Sequence, residues 1–305
     1  MSKNENKAKS SCFVTIIDLM LAEKIKFDLI QFGFELSQPP HTLFSGKKKG
    51  VSVSLYQSGK LMVQGKDMAE FIEFYIEPEI LKSFNFSNPE LYADMVAHMG
   101  SDEAGKGDFF GPLCIATVYA NTETISKLLK MGINDTKKMT DKRTLDLAKK
   151  LKDEVTYHVI KIGPEKYNEL YFKFKNLNSL LAWGHAAAID SVYQKSNCKK
   201  VIIDKFASDT LISNAVKRKN KDLEIILRTK AEEDVVVAAA ATIARATFLR
   251  GLDDLSEMIG YKLPKGASEQ VKEIAIKICK EQGPQALEKV CKKHFKTYEE
   301  VIQRC

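Results

Sequence analysis

The chain of 305 residues lacks any long, unbroken apolar run. Its most apolar stretch, Val235 to Ala244, falls well short of the ~20 residues that a bilayer span requires. The start, Met1-Ser2-Lys3-Asn4-Glu5-Asn6-Lys7, has no apolar core of the signal-peptide kind. Cysteine is sparse: six, at 12, 114, 198, 279, 291 and 305, with no Cys-x-x-Cys pair. That spacing excludes a zinc ribbon and leads us to expect reduced thiols, not a disulfide frame. A net charge of only +7 beside 44% hydrophobic residues excludes a disordered or fibrous chain. The expectation is a cytoplasmic protein with no membrane partner, no evident obligate protein partner and a disordered tail at 1–11.

What is present suggests two domains. From 12 to 82 the pattern reads strand (Cys12 to Ile17), helix (Ala22 to Phe32, ended by Gly33), three strands (Thr42 to Ser45, Val51 to Gln57, Lys60 to Gln64) and an amphipathic helix (Met68 to Leu81). Residues 1–66 hold ten lysines against five acids, whereas 67–90 hold one lysine and six acids, a polarity that suits one phosphate-facing surface. Lys47, Lys48 and Lys49 are the densest basic cluster there. Residues 83–96, with Asn85, Ser87, Asn88 and Pro89, read as a linker. Beyond it strands and helices alternate to 305, ending in helices.

Chemistry concentrates in Gly100-Ser101-Asp102-Glu103-Ala104-Gly105-Lys106-Gly107-Asp108-Phe109-Phe110-Gly111-Pro112. Asp102 and Glu103 precede an apolar strand candidate, Leu113 to Ala120, where acids are costly unless they are paired or hold a metal. Gly105 and Gly107 let backbone approach a ligand, and Lys106 suits a phosphate. A charged glycine-rich hairpin turn is the alternative. Asp204 closes the buried-strand run Val201-Ile202-Ile203, where α/β sheets place ligands, although an aspartate there can also cap a following helix. Glu232, Glu233 and Asp234 open a long helix, which the helix dipole alone would favour.

The signature resembles that of the type 2 ribonucleases H. Four further segments resemble the family in the same order: Asn134-Asp135-Thr136-Lys137-Lys138-Met139-Thr140, Asn176 to His185, Val201 to Phe206, and Thr229-Lys230-Ala231-Glu232 with its Ala-rich continuation to Arg245. The likeness spans roughly 97 to 260, and the N-terminal extension makes it similar to the ribonuclease HIII branch. The resemblance implies an α/β fold, a ribonuclease-H-like mixed sheet with flanking helices at 97–305, preceded by a small α/β domain at 12–82 like half of a TATA-binding-protein saddle. It implies an endoribonuclease that cuts the RNA strand of RNA/DNA hybrids and leaves 5′-phosphate and 3′-hydroxyl ends.

The same resemblance assigns Asp102, Glu103, Asp204 and Glu232 as catalytic metal ligands, with Glu233 as a substitute for Glu232. The cofactor is Mg²⁺, with Mn²⁺ as an alternative, as two ions about 4 Å apart beside the substrate. Gly105, Lys106 and Gly107 would meet the 2′-hydroxyl, Lys137 and Lys138 phosphates, and Lys47, Lys48 and Lys49 the hybrid along the N-terminal sheet. Trp183 is expected in the core, His185 in a supporting role, and Asp108 and Asp135 as turn caps. Removal of single ribonucleotides from DNA, as in ribonuclease HII, and non-catalytic nucleic-acid binding remain the alternatives.

Overall fold

The computed structural model describes residues 12–84, 86–88, 93–133, 139–219 and 222–305. The expected tail at 1–11, Asp135, Lys137 and Lys138 lie outside the described residues. The chain divides into two compact units, Met1–Tyr92 and Ala93–Cys305.

In the first unit, β1 (Cys12–Ile16) is followed by α1 (Ala22–Gln31), β2 (Glu35–Ser37), β3 (Thr42–Lys48), β4 (Val51–Tyr56), β5 (Lys60–Gln64) and α2 (Met68–Phe71). The sheet is antiparallel throughout, in the order β1-β5-β4-β3-β2. The two-residue period of a strand sends Val51, Val53 and Leu55 of β4 into one core with Ile25 and Leu29 of α1. Ser52 and Ser54 fall on the opposite face. After α2 the helix continues as wider π-type turns over Ile72–Leu81, which contain Pro78. A proline gives no N–H to a carbonyl four residues back, which accounts for the departure from α geometry. Buried Glu77 in these turns accepts hydrogen bonds from the backbone N–H of Phe86 (2.6 Å) and Ser87 (3.0 Å), so it ties down the chain that leaves the helix. Strand β2 was not expected, because three residues are too few to show a period.

The second unit comprises β6 (His98–Ala104), β7 (Leu113–Ala120), α3 (Thr122–Lys130), α4 (Asp141–Glu154), β8 (Thr156–Ile162), α5 (Pro164–Phe174) and α6 (Leu177–Ser196). Then come β9 (Lys200–Asp204), α7 (Asp209–Lys217), β10 (Glu224–Arg228), α8 (Val235–Ile259), α9 (Glu269–Gln282), α10 (Pro284–Glu288) and α11 (Lys296–Ile302). The sheet order is β10-β9-β6-β7-β8, parallel on the β6 side toward β9 and β10 and antiparallel through β7 and β8. Helices cover both faces. Leu180, Leu181 and Ala188 of α6 pack on Leu113 and Ile115, and Ile189 and Val192 with α7 pack on Met99, Val201 and Ile203. On the other face α8 and α3 pack on Ala116, Val118 and Ala120.

Helix α8 has the length and composition of a membrane span, yet 78% of its most apolar window is buried inside the protein. Its N-terminus meets β6 at backbone distance. A Cβ on Gly100 would lie 2.4 Å from Val237 N and 2.6 Å from Val236 C, so only glycine permits this approach. Asp234 caps the helix through Val236 N and Val237 N, and its carboxylate also meets Nε2 of buried His98, 3.0 Å away at the start of β6. The C-terminal helices α9–α11 build a separate cluster with Phe109, Phe110, Phe248 and Leu252. There the expectation of reduced thiols fails for one pair: Cys279 of α9 and Cys305 form a disulfide across a Cα–Cα distance of 6.0 Å. Their separation of 26 residues carries no motif, so only the packing of the C-terminus on α9 brings them together. Cys114, Cys198 and Cys291 are reduced thiols.

Gly100→Ala must separate β6 from α8, and we expect it to cost about 1–3 kcal/mol in urea unfolding. Gly107→Ala, with no atom within 4 Å of the added carbon, should change stability by less than about 0.5 kcal/mol. Equal effects would contradict this packing.

Candidate active site

Strands β6 and β9 run parallel with Ser101 opposite Ile203, and the next residues, Asp102 and Asp204, follow where the pairing between these two strands ends. Asp204 accepts a hydrogen bond from Ala231 N at 2.8 Å. The aspartate therefore does cap something, namely the 3₁₀ turn Ala231–Glu233 that carries Glu232. Glu232 then faces the same cleft of about 480 Å³ as Asp102 and Glu103, while Glu233 is exposed and does not line it. Burial, and then the charges of Glu103, Asp204 and Glu232, raise the Asp102 carboxyl well above its ordinary range. Its Oδ1 accepts from Glu103 N at 2.7 Å, which offsets this only in part.

Glu103 has the opposite character. Burial alone would raise its carboxyl, but the hydrogen bond and charge of His185, with Lys106, hold it below its usual value. His185 is buried; its Nε2 meets Glu103 Oε2 at 3.3 Å, its Nδ1 meets Ser101 Oγ at 2.8 Å, and its ring stacks on Phe206 at 4.8 Å. It supports Glu103, as expected. Lys106 lies 3.5 Å from Glu103 Oε1 and 5.9 Å from the Phe206 ring centre. Glu103 is thus held toward His185 and Lys106, and among the described residues no three Asp, Glu, His or Cys side chains converge tightly enough to hold an ion as they stand. The donors still fit a hard divalent cation: they are carboxylate oxygens, and Asp102 is a half-buried carboxyl crowded by three other acids.

The glycine loop serves two ends. Gly105 has φ +87°, and its Cβ would lie 2.2 Å from Pro112 O, so it is required by the fold itself. Gly107 borders open space and leaves backbone accessible. Asp108 caps a neighbouring turn as expected, accepting from Gly266 N at 2.7 Å. The far wall of the cleft includes Thr144, Arg245 and Lys265, with Arg245 and Lys265 both paired to Asp141. Sequence reasoning passed over Lys265 and Asp141, because a lysine and an aspartate 124 residues apart give no local signal. Arg245 was legible as the end of the Ala-rich motif on α8. The tryptophan expectation fails: Trp183 is 38% exposed beside Phe174, on the side of α6 away from the sheet.

The lysine triplet of the first unit does not act as one patch. Lys47 pairs with Glu35 and Ser52 on the sheet face opposite the helices. Lys48 is opposite core residue Val51; its Nζ donates to Phe32 O at 2.7 Å and sits over Phe34. Lys49 lines the same helix-side groove as Phe32 and Phe71. Strand alternation separates neighbours that the linear sequence places together. By that alternation, the open face carries Ser52, Ser54, Lys60 and Gln64 beside Lys47, together with Glu35 and apolar Val14, Ile16 and Met62.

Comparison with known proteins places the chain in a family. A family profile described as ribonuclease HII matches residues 99–298, and one described as a domain of unknown function matches 13–88. The chain is 49% identical over 290 residues to ribonuclease HIII of Protochlamydia amoebophila, covering 95% of this chain and 96% of that protein. It is 47% identical over 295 residues to ribonuclease HIII of Chlamydia felis, covering 96% and 98% respectively. Among solved structures, Bst-RNase HIII in complex with Mn²⁺ superposes with a TM-score of 0.67 at 25% identity, covering 96% of this chain and 98% of that one. With a matched profile over the second unit and close relatives along nearly its whole length, the chain belongs to the ribonuclease HIII family.

Proposed function

We propose that this ribonuclease H cuts the RNA strand of RNA/DNA hybrids by metal-assisted hydrolysis, with Asp102, Glu103, Asp204 and Glu232 holding two divalent ions, Mg²⁺ by preference. The observation that carries the reading is Asp102: a half-buried carboxyl, its pKa raised by desolvation and three neighbouring acids, on β6 beside the end of β9. Such crowding is destabilising without a cation and is what a cation site requires. Divalent ions bound there supply Lewis acidity toward the scissile phosphate and lower the pKa of water. Attack at phosphorus with the 3′ oxygen leaving gives a 5′-phosphate and a 3′-hydroxyl.

The remaining tasks fall to the chain itself. Asp102, which feels the charges of the other three acids, would hold the ions together with them. Asp204 keeps one oxygen on Ala231 N, which fixes both its own carboxylate and the turn of Glu232. His185 and Lys106 restrain Glu103, so a change in its partners on ion binding starts from a defined rotamer. Gly107 offers open backbone to the ribose 2′-hydroxyl, the group that separates RNA from DNA. Lys106, Lys137 and Lys138 meet phosphates. Along the first unit, Lys47 and Lys60 with Ser52 and Ser54 on the open face suit sequence-independent contact with a backbone.

Three outcomes are expected. Asp102→Asn should lower hybrid cleavage in Mg²⁺ about a thousandfold. In metal-free buffer it should instead raise the melting temperature by roughly 2–4 °C, the shift that about 1 kcal/mol produces. Near-normal turnover would exclude the mechanism, and an unchanged melting temperature would exclude the crowding. Glu232→Gln should cost about a hundredfold or more in rate, and Glu233→Gln less than about threefold; the reverse order in paired assays would move the fourth acid to 233. Finally, Lys47→Ala and Lys60→Ala should each weaken hybrid binding and reduce the slope of log K against log salt by roughly 0.9, one phosphate contact apiece. Lys48→Ala should leave that slope unchanged, and a loss at Lys48 alone would place the nucleic acid on the helix side.

A further inference from the structure

Lys292 is among the largest fully buried side chains of the second unit; the charge of Asp108 acts on it, but among the described residues no carboxylate forms an ion pair with it. Its Nζ donates to three main-chain carbonyls instead: Asp108 O at 2.7 Å, Gly111 O at 2.7 Å and, more weakly, Phe110 O at 3.4 Å. The Tyr167 ring lies 5.7 Å away. The backbone repeats the attachment, with Lys292 N donating to Phe109 O and Gly111 N donating to Val290 O. An isolated buried ammonium is expensive, and an apolar side chain of similar volume would ordinarily be the more stable choice. Burial pushes its pKa down to about 8, so it still carries its proton at neutral pH. Without a cation, carbonyl oxygens turned toward one buried point repel one another and lose their partner.

The segment it gathers begins one residue after Gly107. It runs on into Pro112, whose carbonyl oxygen abuts Gly105, so the loop is closed on itself and rests on this charge together with the backbone bonds at Phe109 and Gly111. We propose that Lys292 is a positioning residue: its ammonium gathers the carbonyls of Asp108, Phe110 and Gly111 and thereby fixes Gly105-Lys106-Gly107 at the distance from the carboxylates that the ribose requires. The inference rests on the reading of the glycine loop as the ribose-contacting element. It explains why a lysine, not a leucine, fills the position.

The test uses the full chain with Lys292→Met, which keeps the stem, and Lys292→Ala, which leaves room for a small cation. Kinetics on an RNA/DNA hybrid in Mg²⁺ are measured at a temperature where circular dichroism shows each variant folded. Misplacement of the loop should lower kcat about tenfold or more, because orientation is lost at the reacting atoms. KM should stay within about twofold, since most hybrid affinity comes from elsewhere. Ethylammonium should restore part of kcat to Lys292→Ala, and NaCl at equal ionic strength should not. Leu287→Ala, in the same apolar cluster, should lower the melting temperature without this kcat loss. Wild-type kcat in a folded Lys292 variant overturns the proposal, as do an equal kcat loss in Leu287→Ala and variants that fail to fold even with ethylammonium. If the parent chain itself does not cut hybrid, the functional reading fails; the positioning claim is then decided by hydrogen exchange at amides 105–111, which Lys292→Met should accelerate and which, unaccelerated, refutes it.

Discussion

The approach of α8 to β6 is the constraint on which the second unit depends. At Gly100 the backbone of the strand and the first turn of the helix come so close that no side chain fits between them. His98 and Asp234 clamp the same junction one turn away, with Asp234 also capping the helix. Because α8 begins there, the turn just before it delivers Glu232 to the end of the sheet where Asp102 and Asp204 emerge. The Ala-rich composition of α8 follows from the same demand, since small side chains allow a 25-residue helix to lie deep against the sheet.

That geometry creates an electrostatic problem that the protein leaves partly unsolved. Glu103 is relieved by His185 and Lys106, and Asp204 by a backbone N–H, but Asp102 has only the Glu103 amide against burial and three like charges. Structural ion pairs elsewhere, such as Lys200 with Asp94 at 2.6 Å, are neutralised locally. A cluster that retains net charge in a cleft is a place for a divalent cation and a phosphate. The buried ammonium of Lys292 is the complementary case, a fixed positive charge that organises backbone dipoles where no ion is to be exchanged.

Local periodicity made much of this legible in advance. Val51, Val53 and Leu55 alternate, Asp204 closes an apolar run, and Asp102 with Glu103 cannot be core, so the strands and the acids could be placed from sequence and family resemblance. What escaped was set by contacts between distant segments. Lys48 points to the helix side because of its register with Val51, and Trp183 is exposed because α6 turns Gly184 and His185 inward. Phe206 stacks on His185 only once β9 and α6 are packed, and Lys265 meets Asp141 across the cleft. Cys279 and Cys305 join for the same reason. Strand β2 and helix α7 are short, and neither has a long enough period to stand out.

Elements α8, β6 and β9 assemble a carboxylate cluster suited to divalent cations. Anomalous diffraction from crystals of the full chain grown with Mn²⁺ and a non-cleavable RNA/DNA hybrid tests it most directly. The account predicts anomalous peaks bounded by Asp102, Asp204, Glu103 and Glu232 at the scissile phosphate. Manganese bound elsewhere, or a hybrid seated in this cleft with no ion beside Asp102, would contradict it.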